Sequence, residues 1–339
     1  MIKTNITEMF GLKYPIISAP MGPFYTTELA LAVSEAGGLG VLSHTNLSDK
    51  SSTTAMKENI EYLIEHTDKP FGINIRTARM QPDANVLIRN VSKYVKNNPK
   101  IREQLVYGLT SAGTPRTAAE YWKKRAPTIK HFHVAPALWL AKKCVNVGVD
   151  GLVVTGGEGG GHQSYEEIST LVLLQQMAKY YPDVPYVACG GFATPEGIAM
   201  ALCAGAGAVA MGTRFIATKQ SEFHDNYKAL IPPATAKDTI LTTGAFGPIR
   251  LLKNKYALEH GEVMSKEEKK AKEASFTLEE ATEEMKRYEM IYKGDVENGA
   301  VLVGQTIGLI DDIGDVDDII TSFTKKAEEI LKNIVSKTQ

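Results

Sequence analysis

Short apolar runs alternate with longer amphipathic stretches through the first two thirds of the chain. The apolar runs are rich in β-branched residues, which is typical of parallel strands that are buried on both faces. The amphipathic stretches are typical of helices that bury one face. Eight apolar runs are predicted strands: residues 14–20, 39–44, 71–75, 104–109, 129–135, 151–155, 185–190 and 208–213. Seven stretches are predicted helices: residues 26–36, 53–66, 85–96, 116–125, 137–147, 166–180 and 194–204.

Eight strand-and-helix units predict a (β/α)8 barrel, the TIM barrel. A doubly wound open sheet has the same local alternation and stays open on periodicity alone. Two observations favour the barrel. The first predicted strand is not followed by Gly-x-Gly-x-x-Gly, which a dinucleotide-binding open sheet usually carries there. Glycine-rich turns follow the sixth, seventh and eighth strands instead, so we expect an α/β barrel over residues 1–220.

The alternation stops after the eighth predicted strand. Residues 259–293 are dense in Glu and Lys at helical spacing, which indicates a solvated helical surface. We therefore predict a small helical insertion near the C-terminus, over residues 221–299, that covers the barrel mouth as a lid. The tail is amphipathic, and we expect residues 300–339 to pack back on the barrel.

Composition and charge narrow the class of protein. The 339 residues are 43% hydrophobic and 23% charged, and no apolar run reaches the roughly 18 residues that a membrane span needs. The N-terminal residues do not resemble a secretory signal, so we expect a cytoplasmic protein. A net charge of -1 gives no field that would gather nucleic acid or anionic lipid. We expect a small-molecule substrate, no nucleic-acid or membrane partner, and leave a homodimer open.

The three cysteines, Cys144, Cys189 and Cys203, are widely separated in apolar surroundings and form no CxxC pair. We interpret them as buried structural thiols and predict no metal site. The chain also lacks GxxxxGK[ST], HExxH and GxSxG motifs. Kinase, zinc-hydrolase and serine-hydrolase chemistry are disfavoured accordingly.

The strongest chemical signal lies after the seventh and eighth predicted strands, where barrels commonly bind the phosphate of a ligand. Gly190 and Gly191 would let the backbone approach an anion closely, and a helix that begins near 194 would point its amides the same way. Met211, Gly212 and Thr213 would add amides and a hydroxyl from the neighbouring loop. The alternative is that these glycines only make tight turns; their position at adjacent strand ends favours a phosphate site.

The second signal is the run GLVVTGGEGGGHQS, which carries six glycines and ends near His162. A loop with this many glycines is typical of a backbone that is shaped around a ligand. Histidine can exchange a proton at working pH, and its neutral form can hydrogen-bond an oxyanion. A loop histidine taken alone is more often structural, but opposite a phosphate site we predict that His162 is catalytic.

The remaining histidines carry weaker signals. His131 and His133 share the fifth predicted strand and face the same way, but they lack a third ligand at metal spacing. His133 could line the barrel mouth or be a satisfied core residue, and His44 ends the second predicted strand. We retain His44 and His133 as candidate substrate contacts.

With these residues in hand, the chain resembles the nitronate monooxygenase family, formerly called 2-nitropropane dioxygenases, which includes FMN-dependent enoyl-acyl-carrier-protein reductases. The resemblance runs through most of the chain. Its motifs, in order, are YPIISAPMG, FGINI, GVDGLVVTGGEGGGH, VACGGFAT, AGAVAMGTRF and GDVENGAVLVGQTIGLI.

The resemblance implies that FMN lies in the barrel mouth. The implied flavin contacts are Ala19, Pro20 and Met21 along the ring, Asn74 as a hydrogen-bond partner, Gly160 and Gly161 from the sixth loop, and Gly191, Met211, Gly212 and Thr213 at the phosphate. His162 matches the family histidine beside the reactive edge of the flavin. The chain departs from the family where Thr155 and Ala210 replace glutamines. Both departures affect flavin or substrate contacts.

The family implies two enzymatic activities. The first is oxidation of an alkyl nitronate with O2 to a carbonyl compound and nitrite. The alternative is reduction of an enoyl thioester, or of a quinone, with NAD(P)H as electron donor. A third hypothesis, a non-catalytic barrel that binds a phosphorylated ligand, would keep the glycine turns without needing His162.

Overall fold

The computed structural model describes residues 2–47, 49–78, 81–244, 247–261, 265–275 and 277–338. Its strands are β1 (Ile16–Ser18), β2 (Gly40–Leu42), β3 (Phe71–Thr77), β4 (Leu105–Gly113), β5 (Lys130–Ala135), β6 (Gly151–Thr155), β7 (Gly161–His162), β8 (Tyr186–Cys189), β9 (Ala208–Met211), β10 (Thr239–Gly244) and β11 (Gly247–Leu252). Its helices are α1 (Asn5–Phe10), α2 (Thr27–Glu35), α3 (Ser52–His66), α4 (Ala84–Asn97), α5 (Pro99–Gln104), α6 (Arg116–Arg125), α7 (Leu138–Val147), α8 (Thr170–Tyr180), α9 (Pro195–Cys203), α10 (Thr213–Ile216), α11 (Asp225–Ala229), α12 (Lys255–His260), α13 (Lys266–Ser275), α14 (Leu278–Tyr292) and α15 (Val316–Thr338).

Eight parallel strands form the barrel, in the order β1-β9-β8-β6-β5-β4-β3-β2. The two end strands meet around Leu39, whose amide donates to the Ile16 carbonyl at 2.9 Å and whose carbonyl accepts from the Ser18 amide at 3.0 Å. These bonds close the circle. The predicted (β/α)8 barrel is confirmed.

The barrel interior is filled by apolar side chains rather than open. Phe10 of α1 packs edge-on against Tyr107 with ring centroids 5.3 Å apart, and against Phe132 at 5.7 Å. Phe10, Tyr107 and Phe132 are all buried. This plug occupies the interior of the barrel among the described residues.

The outer layer of helices is bound to the barrel by apolar contacts. Helix α15 packs on α2 and α9, and it buries Ile319, Ile320 and Ala327 against them. None of the described helices is both long and apolar enough to cross a membrane.

The segment 221–299 is not helical throughout, which corrects the predicted all-helical insertion. Strands β10 and β11 form an antiparallel hairpin, and β11 also pairs with β7 through Ile249 opposite His162. Residues 239–252 contain Ile, Thr and Leu in a run that is typical of strands. The helical prediction for the segment rested on the charged stretch that follows this run. The hairpin connects this segment directly to the glycine-rich loop after β6.

Candidate active site

One cavity of about 220 Å³ opens at the carboxyl ends of the barrel strands. Parallel barrels place their functional loops at this end, because every strand points its carboxyl terminus there. The cavity brings together most residues that the sequence singled out. The predicted residues along its wall are Ala19, Pro20, Met21, Asn74, Thr155, Gly160, Gly161, His162, Gly190, Gly191, Gly212 and Thr213.

The glycine pair after β8 forms one side of the cavity. Gly190 and Gly191 have φ of 73° and 96°, a conformation that L side chains rarely adopt. A Cβ on Gly190 would lie 2.8 Å from Thr155 Oγ1 and 3.1 Å from Gly159 Cα, so a side chain is excluded there by contact as well as by backbone strain. The turn can form only because both residues are glycine.

Helix α9 follows this turn. Its cap is Thr194, whose hydroxyl accepts from the Gly197 amide at 3.2 Å, and Pro195 occupies the first turn. Pro195 has no N–H and the Glu196 carboxylate bonds its own amide, so α9 offers an anion the positive end of its dipole rather than free amides. On the neighbouring loop, Thr213 Oγ1 accepts from the Gly304 amide at 3.0 Å and keeps its O–H to donate.

The side chain of Met211 does not line the cavity, and the backbone amide predicted from this residue stays a prediction. Its side chain is fully buried in the cluster between the barrel and the outer helices. Its carbonyl accepts from the Ala19 amide at 2.9 Å. The alternation of side chains along β9 turns Ala210 inward and Met211 outward, so Met211 closes the sheet rather than the ligand site.

The glycine-rich loop after β6 is held from two sides. Glu158 accepts from the Thr170 amide through both carboxylate oxygens, at 3.1 and 2.9 Å, which anchors the loop to the start of α8. A Cβ on Gly160 would lie 2.6 Å from the carbonyl carbon of Val303. The backbone of the loop is thus packed directly against the backbone of the C-terminal segment, with no space for a side chain at Gly160.

His162 follows this loop and faces the cavity. Strand β7 holds it in register with Ile249, and the next amide, of Gln163, donates to the Pro248 carbonyl at 2.8 Å. The cavity exposes part of the imidazole to solvent, yet the surrounding protein removes enough water to lower the pKa of His162 to about 4. The positive charge of Arg76 lowers that pKa further. The imidazole is therefore neutral at neutral pH.

Asn74 lies in the cavity wall on β3 and is fixed before any ligand arrives. Its Nδ2 donates to the Leu109 carbonyl at 3.3 Å and to Ser111 Oγ at 3.1 Å, and only 1% of the residue is exposed. Thr155 and Ala210, the two departures from the family pattern, also line the cavity.

His133 and His44 do not line the cavity, which corrects their assignment as substrate contacts. Phe132 and Val134 alternate inward along β5, so His131 and His133 face the helical layer, where both imidazoles contact Thr110 Oγ1, at 2.8 and 2.7 Å. The alternation along β5 correctly predicted that His131 and His133 share a face, but that face is turned towards the helices and not towards the cavity.

His44 is likewise a structural residue. Its Nδ1 accepts from the Arg76 amide at 3.0 Å, and its Nε2 lies 3.2 Å from Asp83 Oδ2. Both ring nitrogens are used by the protein, and the side chain is fully buried. His44 connects the end of β2 to β3 and to the start of α4.

Of the three cysteines that were interpreted as buried thiols, one is buried, one is partly buried and one is exposed. Cys144 is buried, but Cys203 is exposed and Cys189 lines the cavity. Burial raises the pKa of the Cys189 thiol to about 11, so it is protonated at neutral pH. It contributes a weakly polar wall rather than a nucleophile.

Sequence reasoning missed three polar residues at the site. Arg76 and Gln163 line the cavity, and Arg250 of β11 donates from Nε to the Gly157 carbonyl at 2.8 Å. Arg76 could have been found, since it lies two positions after Asn74 on the same strand and so on the same face. Arg250 carried no signal, because its role depends on a hairpin that pairs with a distant loop.

Comparison with known proteins places this geometry in a family. The family model described as nitronate monooxygenase matches residues 3–326. Proteins of this family are oxidoreductases, typically flavoproteins. A Staphylococcus saprophyticus protein named "Probable nitronate monooxygenase" is 27% identical over 290 residues, which cover 75% of this chain and 80% of that protein.

Two other similar proteins have different names. A Mycobacterium tuberculosis protein named (3aS,4S,5R,7aS)-5-hydroxy-7a-methyl-1-oxo-octahydro-1H-indene-4-carboxyl-CoA dehydrogenase is 32% identical over 260 residues. That match covers 74% of this chain and 66% of the relative, slightly under two thirds. The structure of FabK from Thermotoga maritima superimposes with a TM-score of 0.83 at 30% identity, covering 99% of this chain and 100% of that one.

Proposed function

The chain belongs to the nitronate monooxygenase family and is an oxidoreductase, and we propose that it binds FMN in the barrel-mouth cavity and oxidises a small alkyl nitronate beside His162. The observation that carries this proposal is the meeting, in one cavity, of a glycine-built anion cradle and a neutral imidazole. A phosphate-bearing cofactor and a proton-transfer group would then be neighbours.

The residues of the cavity fit FMN. Gly190 and Gly191, with the Thr213 hydroxyl and the positive end of the α9 dipole, suit a phosphate. Ala19, Pro20 and Met21 would line the ring, and Gly160 and Gly161 would approach it from the opposite loop. Gln163 Oε1 is buried with no hydrogen-bond partner, so it is available to accept from a bound group. Bound FMN would supply the redox chemistry, which no side chain of this site can.

His162 would handle the proton. A neutral imidazole can accept the proton from the carbon next to the nitro group of a nitroalkane, which gives the nitronate, or hydrogen-bond an oxygen of a nitronate that is already formed. Strand β7 fixes its backbone, so the imidazole keeps its direction into the cavity. The hairpin β10–β11 and the segment after residue 300 would exclude water from this end.

The second candidate is oxidation or reduction of an acyl thioester beside the carbonyl group. The two relatives just described favour it: one is named a CoA dehydrogenase, and the other is FabK, an enoyl-acyl-carrier-protein reductase. Thr155 and Ala210, which replace family glutamines, could suit a different substrate from the nitronate enzymes. NAD(P)H would be the electron donor in the reductive direction, and quinone reduction is a variant of this candidate.

Anaerobic mixing tests the proposal and separates the candidates. Protein loaded with FMN is mixed, without oxygen, with an alkyl nitronate, with a saturated acyl-CoA, and with NADH or NADPH. We expect the nitronate to bleach the flavin absorbance, and admitted oxygen to restore it with release of nitrite.

Bleaching by acyl-CoA or NAD(P)H alone would put the thioester or quinone candidate first. A colourless protein that does not take up FMN would overturn both enzyme candidates and leave a non-catalytic phosphate-binding barrel.

A further inference from the structure

Arg76 ends the inward face of β3 and lines the cavity, but the chemistry described so far does not use it. Its Nε and Nη2 atoms are buried and have no hydrogen-bond partner. These two nitrogens form one edge of the planar guanidinium group, so an entire donor edge is unused. Buried donors are nearly always satisfied, and a buried charge that is left unpaired is strongly unfavourable.

The acidic side chains near Arg76, Asp83 and the Tyr288 phenol, are engaged elsewhere. Asp83 contacts His44, Ser52 and Gln81 through its carboxylate, and no ion pair joins it to Arg76 among the described residues. The Tyr288 hydroxyl donates to Glu284 Oε1 at 3.3 Å. The guanidinium group therefore keeps its charge and its free edge for whatever enters the cavity.

Arg76 is too far around the barrel to belong to the phosphate cradle. In the closed strand order, β3 lies four strands from β8 in either direction, so Arg76 and Gly190 are on opposite sides of the mouth. Arg76 and His162 both line the cavity, and the charge of Arg76 lowers the pKa of His162. The free edge thus lies at the reactive end of the cavity.

The backbone under Arg76 is fixed in advance. Its amide donates to His44 Nδ1 at 3.0 Å, and His44 is in turn held by Asp83. On the other side, the Arg76 Nε lies 3.7 Å from the position of a Cβ on Gly22. That distance is ordinary van der Waals contact, so Gly22 lies directly beside this edge of the guanidinium group.

We propose that the Nε–Nη2 edge of Arg76 binds a planar group with two oxygens on one atom, a nitro, nitronate or carboxylate group, and so positions the substrate beside His162. Such an edge matches two oxygens with two parallel hydrogen bonds, which a thioester carbonyl with one oxygen cannot accept. The inference deepens the proposed function, and its identification of the substrate rests on it.

Anion binding to the FMN-loaded protein tests the assignment. Nitrate is the planar probe, acetate is the carboxylate probe, and binding is measured by the change in flavin absorbance and by calorimetry. We expect Arg76→Met to weaken nitrate binding by at least about tenfold, and Arg76→Lys to restore only part of it, because lysine keeps the charge but not the fork. Arg89→Met, which removes an exposed arginine that lies over Tyr121, is the matched control and should bind nitrate like wild type.

The two probes distinguish the sources of the two-oxygen group. Tighter binding of nitrate than of acetate supports a nitro or nitronate substrate, and the reverse supports a carboxylate. With an alkyl nitronate as substrate, Arg76→Lys should raise KM more than it lowers kcat. If Arg76→Met does not fold, the comparison of Arg76→Lys with wild type carries the test.

Nitrate binding that is unchanged in both Arg76 variants would overturn the inference while leaving the proposed function intact. Failure of the protein to bind FMN would overturn the proposed function alone. In that case calorimetry on the flavin-free protein still tests Arg76, since only the part of nitrate binding that the variants remove counts.

Discussion

The two sides of the cavity are built in different ways. The side at β8 and β9 is made of backbone: Gly190, Gly191 and Gly212 carry no side chain. The reactive groups, His162 and Arg76, are instead side chains, and each is held by a residue distant in sequence. Backbone suits a phosphate, which varies little among ligands. Side chains suit a substrate, and they can change without rebuilding the barrel.

The largest expected effect is on the side-chain half. His162→Ala should lower turnover by about 10²- to 10⁴-fold, the usual contribution of a positioned acid or base, while FMN stays bound. Steady-state kinetics and flavin absorbance measure the two quantities. His66→Ala, at an exposed histidine of α3, is the control. Turnover that is the same in both variants would remove His162 from the mechanism.

Changes in the backbone half should weaken FMN binding, whereas changes in the side-chain half lower turnover. Gly190→Ala should weaken FMN binding by about ten- to a hundredfold, because the new Cβ meets Thr155 and Gly159 and the left-handed conformation costs about 1–2 kcal/mol. Gly148→Ala is the matched control: its φ of 83° is similar, but a Cβ there meets nothing within 4 Å. Equal FMN affinities in the two variants would mean that strain, and not the cradle, explains the loss.

The hairpin that supports His162 can be weakened without touching the cavity wall. Arg250→Met removes the bonds from Arg250 to the Gly157 carbonyl and to Thr239 Oγ1, at 2.8 and 3.1 Å. We expect turnover to fall by about tenfold, as loss of a hydrogen bond to a charged group suggests, with FMN affinity nearly unchanged. Lys253→Met, at the exposed end of the same strand, should change neither quantity. A loss of FMN affinity as large as the loss of turnover would contradict the separation of the two halves.

The smallest effect is on stability, and it comes from outside the site. Burial lowers the pKa of His131 to about 3 and of His133 to about 4. Below about pH 6.5 the unfolded chain binds protons that the folded chain does not, so the free energy of unfolding falls as the pH drops from 6.5 towards these values. The limiting slope is about 1.4 kcal/mol per pH unit for each such proton.

Urea unfolding between pH 7 and pH 4 measures that slope. The double variant His131→Asn, His133→Asn should flatten it, whatever its overall stability. A slope that is identical to wild type would show that these two histidines titrate normally in the folded protein.

The contrast between the two halves also explains what could be predicted from the sequence. The barrel and the glycine turns depend on local patterns, since Gly190, Gly191 and Gly212 follow directly from strand ends and turn chemistry. The side-chain half depends on contacts between distant segments. Arg250 reaches the β6 loop from about 90 residues away, and the burial of His44 depends on Asp83 of a later helix start. The prediction for His133 was wrong for a third reason. Alternation along a strand shows which residues share a face, but it does not show which of the two faces points into the barrel.

Calorimetric titration of the flavin-free protein with FMN and with riboflavin, which lacks the phosphate, tests the central claim most directly. The account predicts that FMN binds at least about a hundredfold more tightly than riboflavin, and that Gly190→Ala removes most of this preference while His162→Ala keeps it. Equal binding of the two flavins, or a preference that survives in Gly190→Ala, would contradict the assignment of the phosphate cradle.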